Sequence, residues 1–600
     1  MKKIISLFFC VLFVLSSLMA ARFHSVPLDS SVYRIIDSAE ARGLIKPQME
    51  VRPYNLNKVL DLLEEISLSP SVSQSEKIEI DRVLSDLNNT YGYSETETIK
   101  DVIKEGAYST KERGNRVKLG VGIYSDQSIG KTIGGDNIFD SRNGIKGYCM
   151  GDLFDFVSFD VNFKVGLDRI DPSAFLPTEL KYSTEGFYLD LINRGDRLTE
   201  LPDGGFYVGI EAFPEISFGI KDTVSMRFGA IERDWGPGKG NIALSSNARV
   251  MDGFEIELRP VSWFSYSVMT ASLGLASLDS VNGVKWPSEN MDDKTGAYNN
   301  NLSIHRVEVG PFMGVKLSAW ESVVWRKRFE LSYLNPLSIY MFSQNSLGDY
   351  DNMLMGVDLT ANIGNIGTMY ISLGVDELNS IKQPFSCPRN IIAYQVGGKI
   401  SIPGVAFSLL TVQGTYIPAF FGAHYESSEK IFGDVKYTTA YVNKGQNIGY
   451  RVNPDTLEFL VSYETTLKNG YNLSLVLKDQ LRSAQYAVET TGTDILTYMN
   501  YAAYDSGRGI WGEYESRDFF NNIWNNIFDV EIGVNKKLET RPISFTVALQ
   551  GILETSRPFQ PEIIPSSGDN PKYNPGRVSF TGDWNSVFSL NIKLGINIFY

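Results

Sequence analysis

Two stretches concentrate side chains that could hold a ligand. Arg233-Asp234-Trp235-Gly236-Pro237-Gly238, followed by Leu244-Ser245-Ser246-Asn247-Ala248-Arg249, sets an indole, two guanidinium groups and a carboxamide around a Gly/Pro turn. Gly and Pro at this density fix a tight, specific backbone. A flat aromatic face flanked by donors suits a sugar ring, whose C–H face stacks while its hydroxyls take hydrogen bonds. The plainer reading is a rigid external loop that plugs an opening. The second stretch, Glu321 to Asp351, carries Trp325, Tyr333 and Asn335 among Val323, Val324, Phe329, Leu331 and Tyr340. Apolar loops of that length are not left in water, so it is expected to pack inside a lumen or cap its mouth. The candidate glycan contacts are therefore Arg233, Trp235, Asn247 and Arg249, with Trp325, Tyr333 and Asn335.

Catalytic chemistry is sparse. The histidines are His24, His305 and His424. A hydrolase would need a Ser–His pair with an orienting group. Ser303 shares a strand face with His305, but His305 beside Arg306 reads as a structural residue lining a lumen, and the chain reads as non-enzymatic. Glu321 and Asp376 are candidates to close that lumen by pairing with Arg306. No phosphate-binding glycine loop and no Cys/His ligand cluster is present, so no cofactor or metal is expected. Asp279, Glu289, Asp292 and Asp293 read as a solvated loop rather than a calcium site. A net charge of −14 argues against nucleic acid.

The elements that must position these residues are strands. From Phe588 to Tyr600, apolar side chains alternate with Ser589, Asn591, Lys593, Gly595 and Asn597, as in a two-faced strand long enough to cross a membrane at a tilt. It stops on an aromatic carboxyl terminus, resembling the C-terminal signal that the barrel-insertion machinery of bacterial outer membranes reads. Lys2-Lys3, an apolar run from Ile4 to Leu18 and Met19-Ala20-Ala21 form a secretory signal peptide over residues 1–21. Residues 22–112 carry three helical patterns, near 30–42, 55–66 and 75–87, predicting a periplasmic helical bundle that either plugs a barrel or docks a partner. Period-two alternation then runs through 113–600, as in Val157 to Leu167, Met353 to Ile363 and Ile543 to Leu549. After signal cleavage Cys149, in a strand, and Cys387, in a loop, remain, a placement that disfavours pairing.

Connection lengths assign direction, because barrels of this kind have short periplasmic turns and long external loops. Short turns are expected at 221–222, 259–260, 310–311, 364–365, 403–404, 468–470 and 539–541. Long connections are expected at 168–205, 233–249, 276–301, 322–351, 377–390, 416–455, 481–526 and 553–584. The alternation predicts a mainly β fold: a transmembrane antiparallel β-barrel of about 18 strands, both chain ends periplasmic, with a small α-helical bundle. Residues 180–194 are read as part of a loop.

Trp235-Gly236-Pro237-Gly238 with Leu244 to Arg249, then His305-Arg306-Val307-Glu308, Glu321-Ser322-Val323-Val324, Tyr333-Leu334-Asn335-Pro336 and Asp351 to Asp358 with a partner strand ending at Asp376, resemble the Wzi family of capsule assembly proteins. Val26-Pro27-Leu28 and the helices after it fit the same pattern. The resemblance covers about 26–380; the C-terminal third matches in architecture more than in motif. It implies an 18-stranded outer-membrane barrel with an N-terminal periplasmic helical bundle and a lectin-like, non-catalytic role holding capsular or other surface polysaccharide. The expected partners are that glycan and outer-membrane lipid, and the expected state is a monomer. The alternative is a porin or substrate channel.

Overall fold

A computed structural model describes residues 22–93, 108–169, 187–190, 206–273, 300–484 and 519–599, apart from short breaks at 113–114, 136, 155, 221–222, 248–249, 327–329, 348–350, 379–380, 383–389, 424–429, 433–434, 437–438, 444–445, 539–542 and 565–571. The signal segment, Arg249, Cys387, His424, Tyr600 and the acidic stretch near 279–293 lie outside the described residues.

The wall is a closed antiparallel barrel of 18 strands. In chain order they are β1 (Asn115–Thr132), β2 (Asn137–Leu153), β3 (Val157–Arg169), β4 (Phe206–Ile220), β5 (Val224–Ile231), β6 (Met251–Val261), β7 (Phe264–Ser272), β8 (Asn300–Phe312) and β9 (Val315–Arg326). They continue with β10 (Asn352–Asn362), β11 (Thr368–Glu377), β12 (Ile391–Ile400), β13 (Leu409–Ile417), β14 (Thr456–Thr466), β15 (Tyr471–Ser483), β16 (Ile523–Lys537), β17 (Ile543–Ser556) and β18 (Asn585–Phe599). Each pairs with the next, and β18 closes on β1 from Ser589↔Thr132 to Phe599↔Gly122. Closure leaves no edge strand with unpaired backbone. The first and last strands both have their outer termini at the short-turn end, as connection lengths predict.

Alternation sorts the two faces. Phe588, Leu590, Ile592 and Leu594 of β18 are exposed on the outside, while Ser589 and Asn591 are buried inside. The same apolar outer band carries Leu317, Val357, Leu359, Ile371, Val396 and Val412. Trp263 and Phe312 pack together at its short-turn border, where amphipathic rings favour a membrane interface.

Two turns fall three residues later than predicted. Pro260 and Pro311 were the cues, but both remain within strands, at register shifts between Leu258 and Val261 and between Val309 and Phe312. A bulge tolerates the missing N–H of proline, so these prolines mark bulges rather than turns. A short strand, Phe187–Asp190, pairs with β4 where a plain loop was expected.

Three helices occupy the short-turn end: α1 (Ser31–Ala41), α2 (Leu56–Leu68) and α3 (Gln74–Tyr91). Each starts on a side-chain cap that satisfies orphan backbone donors: Ser30, Asn55, and Ser73 in a capping box with Glu76. Their apolar faces share one core, with Val32, Ile35, Ile36, Leu63 and Ile80 at its centre. Wall residues Met150 and Phe407 join it.

The unit is fastened around the circumference. Phe23 N donates to Ser158 Oγ at 2.9 Å, and Ser217 Oγ donates to the Phe23 carbonyl at 2.8 Å. Arg34 donates to the Phe407 carbonyl at 2.5 Å and pairs with Glu79. Lys118 donates to the Thr90 carbonyl at 3.0 Å, and Lys537 pairs with Asp86 at 3.2 Å. Contacts to strands on opposite sides of the barrel make this unit a plug.

Candidate functional site: a plugged lumen with a polar cavity

The segment after α1 enters the lumen and forms a two-residue strand, Val51–Arg52. Glu50 sits in a buried charge network. Its carboxylate lies 2.5 Å from Arg306 Nη2 and 3.0 Å from Lys316 Nζ, and its backbone N–H reaches Glu308 at 3.1 Å. Arg306 also pairs with Glu308 at 2.8 Å and with Asp358. Burial alone would raise the Glu50 carboxyl, but Lys316 and Arg306 hold it down to about 2. Charges buried here are paired, as they must be to persist away from water. Arg306 thus faces inward and is a lumen residue, as expected, but its partners are Glu50, Glu308 and Asp358. Asp376 instead accepts from Gly422 N at 2.6 Å.

The segment after β5 meets this insert from the long-loop end. Trp235 pairs with Val51, and Asp234 with Arg52. Gly236 N donates to the Glu50 carbonyl at 2.8 Å, and Trp235 N to the Leu244 carbonyl at 2.9 Å. Gly236 has φ +145°, and a Cβ there would stand 2.4 Å from Asn241 Oδ1. A Cβ on Gly238 would meet the amide oxygens of Gln395 and Gln413 at 2.5 and 2.7 Å. The glycines therefore serve close approach to the lumen wall. Asn241 holds the turn, accepting from Gly238 N and donating to Asp234, each at 2.8 Å. Burial raises the Asp234 carboxyl to about 6.

Trp235 is 0% exposed, packed in a core with Val51, Ile242, Leu244, Met269, Trp320 and Tyr450. Arg233 is buried against Glu255 at 2.9 Å and donates to the Ile231, Met251 and Gly229 carbonyls. Neither offers a face to a ligand in this structure; they anchor the folded-in segment to the lumen wall. Sequence placed this segment outside the barrel. It starts at that end but folds inward, because its polar partners lie on the lumen wall.

The second stretch goes elsewhere. Residues directly opposite in an antiparallel pair share a face. His305 stands opposite Glu321 and Val268, and Glu321 opposite Met355. That row is the outer face, because Arg306, its neighbour in β8, points inward. His305 is therefore not a lumen residue, and Glu321 does not close the lumen. His305 Nε2 lies 3.1 Å from Glu321, and Nδ1 lies 3.3 Å from the Tyr266 hydroxyl. Ser303 Oγ accepts from Trp325 Nε1 at 3.3 Å and lies 3.1 Å from Thr270 Oγ1, so Ser303 and His305 form no nucleophile–base pair.

Two short helices, α4 (Leu331–Leu334) and α5 (Tyr340–Leu347), cover this outer patch. Tyr333 and Tyr340 are buried against Val323 and Trp325. Tyr333 donates to Asp351 at 2.9 Å, while Asn335 is exposed and its side chain accepts from Leu337 N at 3.1 Å. The stretch neither fills the lumen nor caps its mouth. The barrel wall separates Trp325, Tyr333 and Asn335 from Arg233 and Trp235, so the seven candidates do not form one site.

Open space remains beside the plug. A cavity of about 610 Å³ is lined by wall residues Arg142, Asp160, Asn162, Lys164, Glu211 and Phe213, with Asn247 from the folded-in segment. Lys164 lies 3.4 Å from Glu211 and 5.5 Å from the centre of the Phe213 ring. Among the described candidates, Asn247 is the one that borders this cavity. The wall residues were missed because each strand carries such polar positions, and alternation does not say which ones the plug leaves uncovered. A second cavity, of about 810 Å³, lies between the plug and β14–β17 and shares Pro27, Leu28, Asp29, Tyr91 and Ser246 with the first.

Fold and lumen together define an outer-membrane-type barrel of 18 strands whose interior holds the plug and the folded-in segment. Among solved structures it is similar to Wzi, an outer-membrane protein involved in group 1 capsule assembly in Escherichia coli and described as a carbohydrate-binding β-barrel. The match has 12% identity, a TM-score of 0.50, and covers 96% of this chain and 99% of that one. Matches to Pseudomonas aeruginosa OpdK with vanillate and to OccD3 have TM-scores of 0.38 and 0.37, at 9% and 10% identity, covering 80% and 85% of this chain and 99% and 98% of theirs. No protein-family profile and no curated protein matches the sequence.

Proposed function

We propose that this chain is an outer-membrane barrel that holds a capsular or other surface polysaccharide at the cell surface without catalysis. The cavity carries this reading: charged and amide side chains with the rings of Phe213 and Tyr91 border a lumen largely occupied by the plug and the folded-in segment. Such a wall offers donors, acceptors and a stacking face to a glycan. Asn247 is a contact in this reading, with Arg249 following it in sequence and Asn162, Lys164 and Phe213 as the facing wall. Arg233 and Trp235 hold the segment in place. Residues 1–21 serve as signal peptide, the helical plug faces the periplasm, and the strand ending at Tyr600 is read by the insertion machinery; the working state is a monomer.

The test is retention of purified cell-surface polysaccharide by the full-length mature protein in detergent. Lys164→Ala with Phe213→Ala should abolish retention while the barrel stays folded. No retention by the unaltered protein, together with large steady conductance in planar bilayers, would overturn the reading. The two adjoining cavities favour one alternative, a narrow substrate channel along the plug.

A further inference from the structure

The outer patch under α4 and α5 is unusual for a membrane-facing wall. Tyr266, Thr270, Ser303, His305 and Glu321 put polar groups on the face that elsewhere carries Leu317, Val357 and Leu359. Polar groups facing hydrocarbon are costly unless they are satisfied. The covering segment meets Tyr266, His305 and Glu321, while Thr270 and Ser303 bond to each other within the wall. Tyr340 stacks on His305 with ring centres 4.5 Å apart and planes 11° apart. Its backbone N–H donates to Glu321 at 2.9 Å, and the Pro336 carbonyl accepts from the Tyr266 hydroxyl.

The other side of the segment is apolar and bare. Leu337 is 83% exposed and Phe342 62%, with Leu331 and Ile339 beside them. From Leu331 to Leu347 there is no charged residue. The backbone is largely closed on itself: Leu334 N, Asn335 N, Ser338 N and Phe342 N donate to carbonyls within the segment or to Glu330. A segment with its polar side clipped to the wall, its apolar side outward and its backbone satisfied is built for a membrane interface.

We infer that residues 331–347 form a strap that embeds Leu331, Leu337, Ile339 and Phe342 in the acyl chains of the outer leaflet. The occupant follows from continuity: the strap lies on the same outer face as the lipid-facing band and near the long-loop ends of β8 to β10. The inference rests on the outer-membrane reading above, with long loops outward.

The experiment uses the full-length mature protein with Cys149 and Cys387 replaced by Ser, reconstituted in palmitoyl-oleoyl phosphatidylcholine vesicles. Nitroxide labels go on Leu337→Cys and Phe342→Cys, with Leu331→Cys as a reserve if either fails to fold. Leu317→Cys on the wall and Lys468→Cys in a short turn are the controls. The strap labels should show an oxygen-to-nickel-chelate accessibility ratio several-fold above Lys468→Cys and close to Leu317→Cys. A ratio like that of Lys468→Cys, with Leu317→Cys still lipid-like, overturns the strap but leaves the barrel in the membrane. Spectral broadening between strap labels would assign the face to a second copy and equally overturn it. A water-like Leu317→Cys would overturn the membrane reading itself.

Discussion

Two aromatic loops leave the same end of the barrel and settle on opposite sides of its wall. The one after β5 turns into the lumen, where Arg233 meets Glu255 and Trp235 pairs with Val51. The one after β9 folds over the outside, where Tyr340 stacks on His305. Aromatic content and length did not separate them. What did is which face of the wall carries unsatisfied polar groups, because a buried polar group without a partner costs more than a typical hydrogen bond contributes. The loop goes where those groups are.

The contrast is most exposed to failure at Arg306. Arg306→Met leaves Glu50, Glu308 and Asp358 buried with Lys316 as their remaining close cation. The cost should be about 3–5 kcal/mol, as for a broken buried pair. Denaturant titration of heat-modifiable gel migration should register it, and an unchanged midpoint would mean that the lumen insert is not held by this network.

A matched pair of tryptophan variants comes next. Trp235→Ala and Trp325→Ala each remove a buried ring, at a local cost of about 3–5 kcal/mol. Only the first should open the lumen, giving conductance in planar bilayers that Trp325→Ala lacks. Equal conductance from both would erase the distinction between the two loops.

The smallest effect is on pH. Burial raises the Glu40 carboxyl to about 7 despite Lys316 and Lys399 nearby, with Asp37 also adjacent. Its ordinary value is about 4.3. The folded protein therefore holds this proton more tightly than the unfolded chain does. That contribution is complete below pH about 4.3 and is lost as pH rises through about 7. Protection of the α1 amides, taken relative to their intrinsic base-catalysed exchange, should fall between pH 5.5 and 8, and Glu40→Gln should flatten that fall. Asp234 titrates near the same range, so a loss of protection that survives Glu40→Gln would be reassigned to it. Asp37, held near 2 against burial by Arg52 and Lys399, does not titrate there.

Much of the fold was legible in the residues. Alternation along β18, β10 and β17, and the parity of short and long connections, fixed the strand count and direction. The three helices lie within a few residues of their predicted spans, because caps and apolar spacing are local signals. The candidate site was less legible. Parity tells which end of the barrel a loop leaves from, not which face of the wall it returns to. His305 and Arg306 are adjacent, and alternation requires them to point oppositely; with polar residues on both faces, nothing local said which one was inside. Pro260 and Pro311 misled because a bulge absorbs proline as readily as a turn does.

The pairing of Val51 with Trp235 has a consequence for biogenesis. Its two halves arrive from opposite ends of the barrel and lie far apart in the chain. Among the described residues, the strand Val51–Arg52 pairs with no other strand. Contacts of such long sequence separation must overcome loop-closure entropy before they stabilise the fold. The pairing therefore depends on the insert and the loop after β5 both reaching the lumen, and its presence reports that both have docked.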